Sequence, residues 1–341
     1  MNKLEIKLKQ HTPLIHFQHD QEGATLRASE VKPKLDRFVL TRLGQGNYQA
    51  GIAQAKTNGW LIGRGDHPAL DYKMRIEASS FQNVLIPIKS VKKNGVLQTD
   101  EIGRQLYATN NYPDNDSSII MSNIGGRAED EVFNLVIANN IELTLISDNI
   151  SIIDMLKGMV CEFFGRISFG NRTSKGFGSF EVKSINGEEV EGDWYTDSYI
   201  LSFSLLNDEM FNKSEVYKDV FRVVNKLWKQ LKRLSGVRGK AERNVLLDVS
   251  PQNIRGAERI PSPIRFKPIV DIYKDGRMYR CDINISIFYN KESINKVSGL
   301  QGVIHYKNLL ASLKTNIEGN LSGFLSNTVN FDIDSTSLSF E

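Results

Sequence analysis

The sequence predicts an α+β fold in which one pattern of strands and helices is used twice. Three observations carry this. Strand-like alternation opens the chain, helices with a single apolar face follow, and the same order of elements restarts after an acidic turn near the middle of the 341 residues. Hydrophobic residues make up 40% of the chain and charged residues 24%, enough to bury a core and unlike a disordered tail.

In Lys3–Lys9, Leu4, Ile6 and Leu8 alternate with charged neighbours, the period of a half-buried strand. A loop through Thr12-Pro13 to Gly23 leads to a helix from Ser29 to about Leu43, ended by Gly44-Gln45-Gly46. Pro33 fits that helix only in its first turn, where backbone N–H groups have no intrahelical acceptor. Tyr72–Ile88 reads as a strand pair, Lys92-Lys93-Asn94-Gly95 as a turn, and the polar Thr99–Glu131 span as a long insertion or loop. Ile141–Ile146 reads as a strand. Asp154–Phe164 reads as a helix with Ile153, Leu156, Met159, Val160, Phe163 and Phe164 on one face. A glycine-rich loop, Gly165–Gly178, then feeds a strand over Phe177–Ile185, and Gly187–Asp193 is an acidic linker.

The second half restarts with a strand at Tyr199–Leu205 and a long helix over Ser214–Leu234. That helix buries Val216, Val220, Phe221, Val224, Leu227, Trp228, Leu231 and Leu234 and turns Lys218, Arg222, Lys226, Lys229, Lys232 and Arg233 elsewhere. Strands Ile264–Tyr273 and Met278–Tyr289 join at Lys274-Asp275-Gly276, and a helix covers Ile304–Ile317. Strand, helix, strands, helix, strand in each half suits a ferredoxin-like (RRM-like) unit in tandem, with domains at 1–190 and 191–341. The closing strand of the second half has the weakest signal.

Composition narrows the function classes. No run approaches the roughly 18 to 20 apolar residues that span a bilayer, and Met1–Glu5 has no signal-peptide core, so a cytoplasmic protein without membrane contact is expected. Cys161 and Cys281 lie far apart in apolar settings, which suits neither a disulfide framework nor a metal site. The net charge is only +3. Basic charge is local instead: Phe211–Arg243 holds ten Lys or Arg against three Asp or Glu.

The sharpest local signal is Gly165–Phe180. Gly170, Gly176 and Gly178 tolerate positive φ and expose backbone N–H groups, Arg172 and Lys175 add charge, and Asn171, Thr173 and Ser174 add neutral donors, as an anion-binding concavity needs. Phe169 and Phe177 either stack on bases or anchor the loop in the core. A helix cap followed by a long turn with solvated cations is the alternative. A phosphate-binding loop of the nucleotide-binding kind is excluded, because those precede a helix and this loop follows one.

A helix, a glycine-rich loop with embedded cations and then a strand, "GNRTSKGFGSFEV", resembles the signature loop of the RAMP superfamily of CRISPR-associated proteins. Thr12-Pro13-Leu14 followed by Leu26–Leu35 resembles the opening of the same family, apart from Pro33 where a small glycine is usual. Arg259–Pro268 resembles a stretch in the second domain of the two-domain Cmr subunit at the guide 3′ end of type III-B complexes. The resemblance implies RNA contacts from Arg27, Ser29, Lys32, Lys34 and Arg37 around a helix start capped by Ser29. It also implies contacts from Gly170 to Gly176 and Gly178 of the loop, and from Arg259 and Arg265.

The function so implied is a non-catalytic RNA-binding subunit of a type III effector ribonucleoprotein. Its expected partners are guide RNA, target RNA and other effector subunits, with no cofactor and no metal. Two alternatives are a guide-RNA processing endoribonuclease that needs no metal, with His16, His19 and Asp20 as its catalytic candidates, and an RNA-free structural subunit of the same complex.

Overall fold

The computed structural model describes residues 1–15, 25–63, 68–87, 92–93, 96–97, 132–170, 173–190, 198–206, 216–217, 220–221, 223–224, 227, 264–272, 278–287, 315 and 328–335. The first half contains β1 (Asn2–Gln10), α1 (Ala28–Leu43), α2 (Tyr48–Thr57), β2 (Leu61–Ile62), β3 (Ala69–Leu70), β4 (Lys73–Pro87), β5 (Lys92–Lys93), β6 (Val96–Leu97) and β7 (Val132–Ser147). It continues through α3 (Ile150–Arg166), a 3-10 turn at Thr173–Lys175, β8 (Phe180–Ile185) and β9 (Glu188–Glu189). The second half contributes β10 (Ser198–Leu206), β11 (Ile264–Ile272), β12 (Met278–Ile287) and β13 (Thr328–Ser335). Between β10 and β11, Val216, Tyr217, Val220, Phe221, Val223, Val224 and Leu227 are helical and buried.

Mixed helix and antiparallel sheet is thus the observed class. The first sheet runs β4-β7-β1-β8-β9 and the second β11-β12-β10-β13. In each, every paired strand is antiparallel, so the two strands flanking β7, or flanking β12, run the same way. Strands that run the same way need a crossover longer than a hairpin, and α1 supplies it from β1 to β4, as α3 does from β7 to β8. These helices bury one face of the first sheet. Leu4, Ile6 and Leu8 of β1 meet Val31, Leu35, Val39 and Leu40 of α1 and Ile153, Leu156 and Val160 of α3. At the end of α3, Phe163, Phe164, Phe169 and Phe180 form a tilted and edge-on ring cluster with centroids 5.1–5.8 Å apart.

Four expectations need correction. The Tyr72–Ile88 span holds one long strand, β4 (Lys73–Pro87), rather than a pair, and β4 pairs with β7 across the Thr99–Glu131 span, which lies outside the described residues. The polar Ser79-Ser80 step does not turn the chain. Ser80 instead takes φ 61°, and its hydroxyl meets Asn139 Nδ2 at 3.3 Å. A helix not foreseen, α2, is capped by the Asn47 carboxamide, which accepts from the N–H of Gln49 and Ala50. Helix α1 starts one residue early, with Arg27 at its cap position and no side-chain cap, so Ser29 sits inside the first turn and Pro33 in the second. The closing strand is β13, whose Val329, Phe331 and Ile333 alternate with polar neighbours. Trp228, Leu231, Leu234 and the six basic positions Lys218 to Arg233 lie outside the described residues, as does the Ile304–Ile317 helix apart from helical Thr315.

Candidate nucleic-acid interface

The segment after β1 and the glycine loop are one structure. Thr12 is fully buried, and its hydroxyl donates to Gly176 O at 2.7 Å and accepts from Ser179 N at 2.9 Å. Gly178 N donates to Pro13 O, Phe169 N to Gly178 O and His11 N to Ser179 O, each at 2.8–2.9 Å. Leu14 lies against both bends. A Cβ on Gly170 or Gly178 would meet its Cδ1 at 2.8 or 3.0 Å, and a Cβ on Gly178 would fall 1.9 Å from Phe169 O. Gly170, Gly176 and Gly178 all take positive φ, 77°, 87° and 65°. The threonine, the proline carbonyl and the glycines therefore fit one another closely: a side chain at Gly170 or Gly178 would push the two segments apart.

Helix α1 joins the same assembly. Glu30 accepts from Gly170 N at 2.7 Å and from Lys34 Nζ at 3.1 Å, and Lys34 also stands 4.9 Å over the Phe169 ring. Lys32 bonds Asp36 at 2.9 Å and Leu70 O at 3.0 Å and lies 3.9 Å over the Tyr72 ring. Arg37 lies 5.6 Å over Tyr48. Arg27, Ser29, Pro33 and Arg37 are exposed, a ridge up the outer side of the helix that starts beside the loop.

The second half closes on the loop from the other side. Phe177 stacks on Phe221 at 4.0 Å and 15°, and a Cβ on Gly176 would lie 2.9 Å from Pro268 Cγ. Lys267 Nζ is buried and donates to Phe164 O, Ile167 O and Phe180 O at 2.5, 3.2 and 2.9 Å. Burial lowers its pKa to about 7 against the attraction of Glu181. His11 is also buried. Its Nδ1 accepts from Val270 N at 3.0 Å, which leaves the Nε2 proton to bond Glu181 Oε2 at 2.9 Å. Burial would raise the Glu181 carboxyl, but the His11 bond and the charges of Lys9 and Lys267 hold it below its ordinary value. Lys9 pairs with Asp271 at the same seam.

The expected residues divide accordingly. The N–H groups of Gly170, Gly176 and Gly178, expected to be exposed in the loop, donate within the protein, as do those of neighbouring Phe169 and Ser179. Phe169 and Phe177 anchor the loop in the core, both at most 1% exposed. Ser29 does not cap. Thr173 and Lys175 are half-buried in the 3-10 turn that contains Ser174. Arg265 is half-buried on β11, and burial lowers its pKa. Asn171, Arg172, Arg259, His16, His19 and Asp20 lie outside the described residues. Among the described residues, no group of three or more His, Cys, Asp or Glu can hold a metal, and no helix is long and apolar enough to cross a membrane. The sequence reading missed His11, Thr12, Glu30, Glu181 and Lys267. Thr12, Glu30 and Lys267 lay inside the motifs Thr12-Pro13-Leu14, Leu26–Leu35 and Arg259–Pro268, without an assigned contact.

A family model described as the Cmr1 N-terminal domain matches residues 1–237. Among solved structures, the chain is similar to the crystal structure of Cmr1 from Pyrococcus furiosus in its apo form. Identity is 13%, coverage is 85% of this chain and 89% of that one, and the TM-score is 0.42. No curated protein matches.

Proposed function

The chain belongs to the Cmr1 N-terminal domain family, a Cmr RAMP subunit of type III-B CRISPR systems, and from that premise we propose that it is a non-catalytic RNA-binding subunit of the effector complex. It contacts guide RNA through the start of α1 and the middle of the glycine loop, and it helps capture target RNA. Both sheets follow one order, in which the first strand lies between the third and fourth and the second strand at the edge. This supports the reading of two ferredoxin-like units in tandem.

One observation supports the RNA reading: the Glu30 carboxylate ties Gly170, at the start of the glycine loop, to the first turn of α1, the helix that carries the exposed Arg27, Ser29 and Arg37. A helix start favours anionic groups, and side-chain cations beside it suit a sugar-phosphate chain rather than base edges. In this arrangement Asn171, Arg172, Thr173, Ser174 and Lys175 face RNA, Lys32 and Lys34 add field from behind, and the glycines shape the loop.

Salt-dependent binding of a labelled single-stranded RNA by the purified chain tests this. The pairs Arg27→Ala/Arg37→Ala and Arg172→Ala/Lys175→Ala are each expected to flatten the log–log salt slope by about one for every phosphate left without its cation, with melting temperatures kept. Wild-type affinity that ignores salt, or variants that bind as wild type does, would favour an RNA-free structural subunit.

A further inference from the structure

We infer that Lys267 is a positioning residue for the RNA site, reaching from β11 to hold both stems of the glycine loop and so setting where the turn that carries Lys175 stands. The inference rests on the reading of that loop as an RNA contact and deepens it. Phe164 O and Ile167 O lie at the C-terminal end of α3, where the loop leaves, and Phe180 O opens β8, where it returns. The last carbonyls of a helix lack intrahelical donors, and here Ile167 N turns back to Phe163 O. A buried ammonium answers that need with donors aimed at both stems, and it meets the negative end of the α3 dipole.

A hydrophobic residue would fill the same space but bridge nothing. The neighbouring contacts have the same direction: Pro268 presses on Gly176, and Phe221 stacks on Phe177, so the second half sets the loop's shape rather than merely touching it. On the far side Thr12 holds Gly176 O and Ser179 N, leaving the 3-10 turn Thr173–Lys175 as the part carried between the clamps.

The test uses the full chain and a fluorescently labelled single-stranded RNA of mixed sequence, titrated across a salt series. Near-ultraviolet circular dichroism and melting curves check folding, and hydrogen exchange is read at Gly176–Ser179. Lys267→Met is expected to flatten the salt slope as much as Lys175→Ala does, by about one unit for each phosphate no longer neutralised. The double variant should be no flatter than either single, whereas combination with Arg27→Ala should add. Exchange at Gly176–Ser179 should accelerate. A folded Lys267→Met with unchanged slope and exchange, or effects of Lys267 and Lys175 that simply add, would overturn the inference. Gly176→Ala disturbs the Pro268 contact from the loop side with the buried charge intact, and it is read by the same criteria if Lys267→Met does not fold. Faster exchange in Lys267→Met with RNA binding untouched by Lys175→Ala would uphold the clamp and remove the loop from the RNA site.

Discussion

Lys267 brings an ammonium into the interior, where burial lowers its pKa from 10.5 to about 7. Between those values the unfolded chain binds more protons than the folded one, so stability rises with pH across that window, and below it the burial penalty is constant. Glu181, which faces Lys267, Lys9 and His11, acts at the other end. Its pKa lies below the ordinary 4.5, so its contribution is present at neutral pH and lost in acid. Urea melts of wild type and Lys267→Met at pH 7 and pH 9 should diverge in favour of wild type by about 2 kcal/mol at the higher pH. A constant difference would mean that the lysine does not titrate in the folded state. Gly178 gives a second prediction at this scale. Its φ of 65° and the 1.9 Å approach of a Cβ to Phe169 O make Gly178→Ala destabilising, by more than about 2 kcal/mol in denaturant melts.

At the scale of elements, Pro33 is out of place. Six residues into α1, it withholds the N–H that would bond Ser29 O, so Pro33→Ala should stabilise the chain by about 1–3 kcal/mol, visible as a higher melting temperature. An unchanged or lower value would mean that proline ordering of the unfolded chain outweighs the missing bond. Elements with a clean period were legible in the sequence. The alternation of Leu4, Ile6 and Leu8 and the stripe from Ile153 to Phe164 reappear as the buried sides of β1 and α3. Helix α2 was not, because its inward face is Tyr48, Gly51, Ile52 and Ala55, whose small residues give too thin a periodic signal. Nor was β4, since its partner β7 comes from beyond Thr99–Glu131 and no local pattern reports such pairing. The site was legible in part for the same reason. Glycine spacing announces positive φ, but it does not say that Leu14, Pro13 and Thr12 fill the space the missing side chains leave.

For the whole molecule, the glycine loop is where the halves meet: Phe177 on Phe221, His11 on Val270, Lys9 with Asp271, and Lys267 under both stems. A fragment of residues 1–190 lacks every partner from the second half. It should melt below the full chain and leave the Gly176–Ser179 amides open to exchange, while the β1–β7 amides stay protected. Equal protection in both would show that the first half shapes the loop unaided. The central claim, that the α1 start and the loop face RNA together, is tested most directly by ultraviolet crosslinking of guide RNA within the effector complex, with mapping of the crosslinked peptides. Crosslinks should fall in the peptides spanning Arg27–Arg37 and Ser168–Lys175. Crosslinks confined to other surfaces, or none on this subunit in a complex whose other subunits crosslink well, would contradict it.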